Sequence, residues 1–222
     1  MTPQALVFDA YGTLYDVHSV IQRCDALWPG KGAALSQLWR QKQLEYTWQR
    51  SLMRRYLRFS QITREALAYA CDSLKLPLDA ATADALMQEY LTLAAYPDVP
   101  GALAKLKGKK AILSNGSPDM LEPLVQHSGL KFDAVLSVDA VKLFKPVPEV
   151  YQLAVDRLGV SKENIGFVSS NCWDALGAKS FGFTVYWINR MGAPVDRLGF
   201  APDAILGTLG DLTRALPSAA AG

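Results

Sequence analysis

At 222 residues, half of them hydrophobic and a fifth charged, with a formal net charge of +2, the chain has the composition of a globular protein able to bury its own core, and wholesale disorder is excluded. The densest basic runs, Lys105 to Lys110 and Arg54 to Arg58, are interleaved with apolar residues as solvated faces are, so nucleic acid is not an expected partner. Three cysteines without a CxxC pair, and an opening Met-Thr-Pro-Gln with neither a basic run nor a long apolar stretch, point to free thiols, a cytoplasmic location and no membrane segment.

The first predicted element is the short apolar run Ala5-Leu6-Val7-Phe8, a buried strand that ends at Asp9 and a turn containing Gly12. From Ser19 to about Ala95 the texture is helical. Leu35, Leu38 and Trp39, then Leu52, Met53, Tyr56 and Leu57, recur at three- and four-residue steps; Leu67, Ala70, Cys71 and Leu74, and then Ala85, Leu86, Tyr90 and Leu93, form further stripes. Pro77 and Pro97 punctuate the ends. After Pro97 the pattern alternates. Strands are expected at Ala111–Ser114, Ala134–Val138, Ile165–Val168 and Thr184–Ile188, each flanked by helical runs, which implies a parallel sheet. One helix opens with Ser117 as N-cap and Pro118 at its first position; another runs from Pro148 to a close at Gly159. The Ala-rich end of Gly207 to Gly222 is expected to fray. Ligand crevices in such sheets lie beyond the carboxyl ends of the strands, where Asp9, Ser114, Lys145 and Ser169 to Asp174 can converge.

Asp9-Ala10-Tyr11-Gly12-Thr13-Leu14, Ser114-Asn115-Gly116, Lys145-Pro146 and Ser169-Ser170-Asn171-Cys172-Trp173-Asp174 resemble, in that order, the four motifs of the haloacid dehalogenase superfamily. The segment Arg40-Gln41-Lys42-Gln43-Leu44-Glu45-Tyr46 resembles the active-site helix of the L-2-haloacid dehalogenases, and the likeness runs over nearly the whole chain. This resemblance implies an α/β fold: a Rossmann-like core of residues 1–15 and 97–222, its parallel sheet flanked by helices, with a helical cap of residues 16–96 inserted after the first strand. It also implies a homodimer and a short (S)-2-haloacid as substrate.

Most relatives in the superfamily are magnesium-dependent phosphotransferases that carry a second Asp, the general acid, two places after the nucleophile. Tyr11 stands there instead, and the fourth motif offers Ser169, Asn171 and one acid, Asp174, to a hard cation. Halide leaves as a stable anion without a proton, whereas losing a general acid would slow phosphate-ester cleavage by roughly 10²–10⁴-fold. No metal and no cofactor are therefore expected. The alternatives are a magnesium phosphatase and a catalytically silent binding module, the latter expected to lose some of Asp9, Lys145, Arg40 or Asp174.

By the resemblance Asp9 is the nucleophile that forms a covalent ester and Thr13 orients it; taken alone, Asp9 reads as a cap on the turn into Gly12. Lys145 would keep Asp9 ionised and, with Ser114 and nearby backbone N–H groups, bind the substrate carboxylate; its plain reading is a surface lysine, and that of Ser114 is a strand-to-helix turn. Arg40, beside the apolar stripe and otherwise solvated, would cradle the departing halide with Asn115. Asp174, equally placed to cap a helix beginning after Asn171, would act with Ser169, Asn171 and Lys145 on the water that cleaves the ester. Tyr151 would orient this group or else be a core aromatic. Ala10, Tyr11, Gln41, Leu44, Phe59 and Trp173 match positions around the substrate's alkyl chain. His18 and His127 fit neither a triad nor a metal pattern and read as structural or surface residues.

Overall fold

The computed structural model describes residues 2–216. Chain order is β1 (Ala5–Phe8), α1 (Ile21–Leu27), α2 (Gly32–Leu52), α3 (Phe59–Leu74), α4 (Ala80–Glu89), α5 (Val99–Lys105), β2 (Lys109–Ser114), α6 (Pro118–Ser128), β3 (Ala134–Ser137), α7 (Pro148–Leu158), β4 (Ile165–Ser169), α8 (Cys172–Phe181), β5 (Thr184–Ile188), β6 (Ala204–Leu206) and α9 (Leu209–Ala215). Among the described residues one parallel sheet forms, in the order β3-β2-β1-β4-β5-β6. The apolar run of β1 is explained by its central place: every residue is buried, with Phe8 level with Ile112 on one side and Val168 on the other. Successive strands leave β1 first toward β2 and β3, then cross to β4, β5 and β6. The order reverses at the carboxyl end of β1, the place where such sheets form their ligand sites.

The region between β1 and α5 is helical, as its stripes imply. Trp39 of α2 is fully buried, donates its indole N–H to the Thr63 carbonyl at 2.7 Å and lies 4.8 Å from the Tyr90 ring, while Gln43 Nε2 donates to Thr63 Oγ1 at 2.7 Å. These contacts lock α2 to α3 and to the end of α4. The two chain crossings that join the helices to the sheet are bonded to each other: Asp16 N donates to Ala94 O at 2.8 Å and Tyr96 N to Leu14 O at 3.0 Å.

Four details differ from the sequence expectations. The stripe Leu52, Met53, Tyr56 and Leu57 is not one helical face, because α2 stops at Leu52 and Arg54 turns the chain in the left-handed region, leaving Leu52 and Met53 exposed. Strand β3 ends at Ser137; Val138 enters a 3₁₀ turn because the Ser137 hydroxyl accepts from Asp139 N. Ser117 holds the N-cap position of α6, yet its hydroxyl accepts from Ser60 N of α3 and not from its own helix. Strand β6 and helix α9 add to the expected elements, and α9 opens on a capping box between Thr208 and Asp211. The expectation of a fraying Ala-rich end falls on residues 217–222, outside the described residues.

Gly177 lets α8 approach the sheet's carboxyl edge. A Cβ there would lie 2.5 Å from Pro146 Cβ and 2.6 Å from Tyr151 Oη. Gly177→Ala is expected to destabilise the fold by about 1–3 kcal/mol through overpacking, despite the better helix propensity of Ala. Urea denaturation measures it; an unchanged or higher midpoint would contradict the packing described.

Candidate active site

Asp9 follows directly on β1, and its backbone N–H still bonds Val168 O of β4 at 2.9 Å, so the strand holds its Cα rigidly. Gly12, at φ 87°, bends the chain back and brings the Thr13 hydroxyl to Asp9 Oδ2 at 2.9 Å. The turn itself is closed by the Ala10 carbonyl, which accepts from the backbone N–H groups of Thr13, Leu14 and Tyr15. The Asp9 carboxylate is therefore not the turn's cap. Its Oδ2 accepts a second hydrogen bond from Asn171 Nδ2 at 2.8 Å, and Oδ1 accepts from Lys145 Nζ at 3.1 Å.

Lys145 is not a surface lysine: its side chain is 1% exposed. Its backbone N–H donates to Asn115 Oδ1 at 3.0 Å, and the preceding Phe144 N–H donates to Ser51 Oγ at 2.9 Å, tying its loop to the ends of both β2 and α2. The ammonium lies between Asp9 and Asp174, the latter at 2.9 Å, with the Phe167 ring beneath it. Burial opposes its charge, but the two carboxylates outweigh burial and hold its pKa above the ordinary lysine value.

Asp174 is fully buried on the first turn of α8. Its carboxylate is taken by Lys145 on Oδ2 and by the Tyr151 hydroxyl on Oδ1 at 2.8 Å, so it does not serve as a helix cap. Asn171 occupies the N-cap position, but its amide reaches Asp9 and Tyr11 O. Burial pushes Asp174 up to about 6, against the downward pull of the Lys145 ammonium. Burial and Asp174 raise Tyr151 well above the ordinary tyrosine value, which keeps its hydroxyl a donor. Ser169 is buried and its hydroxyl accepts from Asn171 N at 3.1 Å, shaping the turn after β4.

Ser114, buried at the end of β2, accepts from Gly116 N at 3.0 Å; the turn role is real, and the hydroxyl proton remains to be donated. Asn115 has its Oδ1 on Lys145 N, which directs its amide nitrogen away from that loop. Arg40 comes in from α2: one guanidinium nitrogen donates to Tyr11 O at 3.2 Å, another to Gln43 Oε1 at 2.7 Å. Burial lowers its pKa, with Tyr90 and then Asp9 among the groups pulling it back. Ala10 and Tyr11 are buried; the Tyr11 ring packs on Phe59 at 5.5 Å and covers Gly116, where a Cβ would meet it at 2.8 Å.

Not every expected position joins this cluster. Gln41 is exposed on α2, one step of about 100° around the helix from Arg40. Leu44 is half-buried one turn further along. Trp173 stacks edge-on against Trp48 and lines a cavity of about 540 Å³ with Phe144, Lys145, Pro146 and Leu52; Asp9, Ser114 and Asn115 are not in its wall. His18 bonds Ser36, and His127 is exposed. Two residues join the site without having been singled out from the sequence. Gln43, fully buried, braces Arg40 from three positions along α2, a spacing visible in the sequence. Ser170 donates its backbone N–H to Thr13 Oγ1, a contact across 157 residues that no local pattern announces.

Among the described residues no three His, Cys, Asp or Glu side chains gather to hold a metal ion. The two facing carboxylates, Asp9 and Asp174, already share an ammonium, and their neighbours are a hydroxyl, amides and a phenol. Every oxygen of the two carboxylates already accepts from one of these donors, which leaves little for a hard divalent cation to bind.

A parallel sheet with Asp9 at its switch point, and Lys145 and Asp174 closing over it, is the haloacid dehalogenase-like α/β fold. The chain belongs to the haloacid dehalogenase-like hydrolase family, whose model matches residues 3–182. It is 52% identical over 205 residues to the (S)-2-haloacid dehalogenase of Pseudomonas sp. (strain YL), across 90% of this chain and 88% of that one. To haloacetate dehalogenase H-2 of Moraxella sp. (strain B) it is 49% identical over 205 residues, across 90% and 92%. A solved structure of L-2-haloacid dehalogenase from Xanthobacter autotrophicus, with chloropropionic acid covalently bound, superposes with a TM-score of 0.93 at 44% identity, across 98% of this chain and 100% of the other.

Because burial raises Asp174, the folded state holds that proton more tightly than the unfolded chain does. Its contribution to stability is complete below the ordinary 3.8 and is lost as pH rises through about 6. The stability of the wild type relative to Asp174→Asn should therefore fall between those values and level off above them. Denaturant titrations across that window check this, and a difference that grows with pH would be incompatible with the buried carboxyl described.

Proposed function

We propose that this chain hydrolyses short (S)-2-haloalkanoic acids to (R)-2-hydroxy acids and halide through a covalent ester on Asp9. The observation that carries the reading is the buried Asp9 carboxylate, held by Lys145, Thr13 and Asn171 at the strand tip, with a second buried carboxylate, Asp174, on the same ammonium. The relatives named (S)-2-haloacid dehalogenase and the covalent chloropropionic acid complex support it. The phosphatase alternative lacks an acid at Tyr11 and a donor set for its cation; the silent module is disfavoured because Asp9, Lys145, Arg40 and Asp174 all persist and lie together.

In the first step an Asp9 oxygen attacks C2, the carbon–halogen bond breaks, and the halide leaves with the bonding pair. Arg40 and Asn115 receive it, as donors fixed before charge develops. Ser114, Lys145 and backbone N–H groups at the start of the turn after β2 bind the substrate carboxylate. In the second step water attacks the Asp9 carbonyl carbon, and Asp174 takes its proton. With Ser169 and Asn171 arranging the turn and Tyr151 orienting Asp174, the ester C–O bond to Asp9 breaks, the departing alkoxide takes the proton held by Asp174 to leave as the hydroxy acid, and Asp9, now carrying the water oxygen, returns its proton to solvent. Only the first step touches C2, so configuration inverts once. Ala10, Tyr11 and Phe59, buried in the cluster, form the wall about the alkyl chain, while Gln41, Leu44 and Trp173 lie outside that cluster.

Residues 16–96 act as a cap on a core of 1–15 and 97–222; the bonded crossings at Leu14–Asp16 and Ala94–Tyr96 support this division, since they place both connections together. We further propose a homodimer working in the cytoplasm. Exposed Leu52 and Met53 at the end of α2 favour a partner, no helix among the described residues is long and apolar enough to cross a membrane, and Cys24, Cys71 and Cys172 are free thiols. Light scattering coupled to gel filtration should give twice the chain mass; a monomer would remove the dimer.

The decisive assay is halide release from separate S and R 2-chloropropionate, and from chloroacetate in view of the haloacetate relative, all in EDTA. Release from the S acid and not the R acid is expected, with none from Asp9→Asn. Metal-dependent hydrolysis of a phosphate ester without halide release would instead establish the phosphatase. In the same assay Arg40→Lys should lose about 10²-fold or more in kcat, since a lysine cannot keep both the Tyr11 and Gln43 contacts; an unchanged rate would remove Arg40 from the halide site.

A further inference from the structure

Among the described residues Ser170 makes no hydrogen bond to Asp9 or Lys145, yet its three hydrogen-bonding groups are all engaged. Its N–H donates to Thr13 Oγ1 at 2.8 Å, its carbonyl accepts from Trp187 Nε1 at 3.1 Å, and its hydroxyl accepts from an Arg190 guanidinium nitrogen at 2.7 Å. Arg190 is itself clamped. Its other terminal nitrogen donates to both oxygens of Asp98, at 3.1 and 3.2 Å, and its guanidinium stacks 4.1 Å above the Tyr96 ring. Asp98 in turn accepts from Leu209 N at the start of α9 at 2.6 Å. These contacts join four separate segments: the turn after β4, the end of β5, the returning crossing at Tyr96, and α9.

We infer that Arg190 is a positioning residue for the Asp9 reaction, acting through Ser170. A threonine hydroxyl has one proton. Because Ser170 N–H occupies a lone pair of Thr13 Oγ1, that proton is directed to Asp9 Oδ2. The next residue, Asn171, supplies the other donor to the same oxygen. The Ser170–Asn171 segment thus places both donors on Asp9 Oδ2, and Arg190, through the Ser170 hydroxyl, together with Trp187, through the Ser170 carbonyl, places that segment. Displacing it by about 1 Å is enough to lower turnover by up to roughly 10²-fold through misalignment alone. The groups assigned to the substrate carboxylate and halide, Ser114, Lys145, Arg40 and Asn115, make no hydrogen bond to Arg190 or Ser170 among the described residues. Loss of Arg190 should therefore act on kcat and leave KM in place.

The inference rests on the dehalogenase reading, so wild type is assayed beside every variant with S-2-chloropropionate. Arg190→Met is expected to lower kcat by roughly 10- to 10²-fold with KM unchanged, and Arg190→Lys to recover part of the loss. Ser170→Ala should lower kcat comparably, and the double variant should be no worse than Arg190→Met alone, because both break one linkage. Wild-type activity with full kcat in a folded Arg190→Met, a rise in KM in place of the fall in kcat, or additive losses in the double variant would each overturn the inference. Should Arg190→Met fail to fold by circular dichroism, Ser170→Ala, which removes one oxygen, decides: full kcat overturns the inference and a selective loss of kcat upholds it. Absence of halide release from the wild type would instead sink the functional reading itself.

Discussion

The Lys145 ammonium, buried between Asp9 and Asp174, is the interaction on which the rest of the site depends. Removing an ammonium and two carboxylates from water carries a desolvation penalty of several kcal/mol per ion, and breaking such a pair by deleting one partner typically costs about 3–5 kcal/mol. The surroundings show how that penalty is met. Each carboxylate has further donors, Thr13 and Asn171 on Asp9 and Tyr151 on Asp174, and the ammonium rests over the Phe167 ring. Two acids that would repel each other are held at close range by one ammonium and differ in their other partners. Such an arrangement separates their chemistry: Asp9 faces hydroxyl and amide donors, whereas Asp174 is desolvated and raised, as suits a group that is to accept a proton from water.

Topology makes this cluster possible. Asp9, Ser114 and Ser169 lie at or just beyond the carboxyl ends of three adjacent parallel strands, so side chains more than a hundred residues apart meet without any long search by flexible loops. The Lys145 loop carries no regular structure at Lys145 itself, yet it is pinned on one side by Asn115 and on the other by Ser51 of α2. Arg40 reaches the same place from the helical segment and is braced by Gln43, itself fixed on Thr63 of α3. The packing of α2 on α3 thereby sets where the guanidinium stands relative to Asp9. Rigid elements hold every charged group, as charge stabilisation by preorganised donors requires.

Much of this was legible in the residues. The alternation after Pro97, the all-apolar run before Asp9, Pro118 and Pro148 opening helices and Gly159 closing one are local signals with local causes, and the sheet and helices follow them. Where reading along the chain went astray, a tertiary contact had overridden a periodicity. Leu52 to Leu57 keeps a helical spacing across a break made by Arg54, and the Ser117 hydroxyl bonds a neighbouring helix in place of its own. Strand β6 is too short and too exposed to show a strand pattern, though the Thr208 and Asp211 pair ahead of α9 was a usable signal. Gln41 shares the helix of Arg40 but not its facing, because successive positions turn by about 100°.

The sequence carried the class of chemistry through motifs that resemble those of a known family: an Asp after a buried strand, a Lys before a Pro, an acid at the start of the helix after a later strand, and a Tyr where a phosphatase carries a proton donor. Those features depend on identity and spacing, which a sequence states directly. Only the tertiary structure decided how the charges pair, which oxygen of Asp9 takes which donor, and that Ser170, Arg190 and Asp98 connect the site to the chain's crossing and to α9. Hydrogen-bond partners are set by distances of a few tenths of an ångström between segments remote in sequence, and such distances exist only once the sheet and the helices above it have packed.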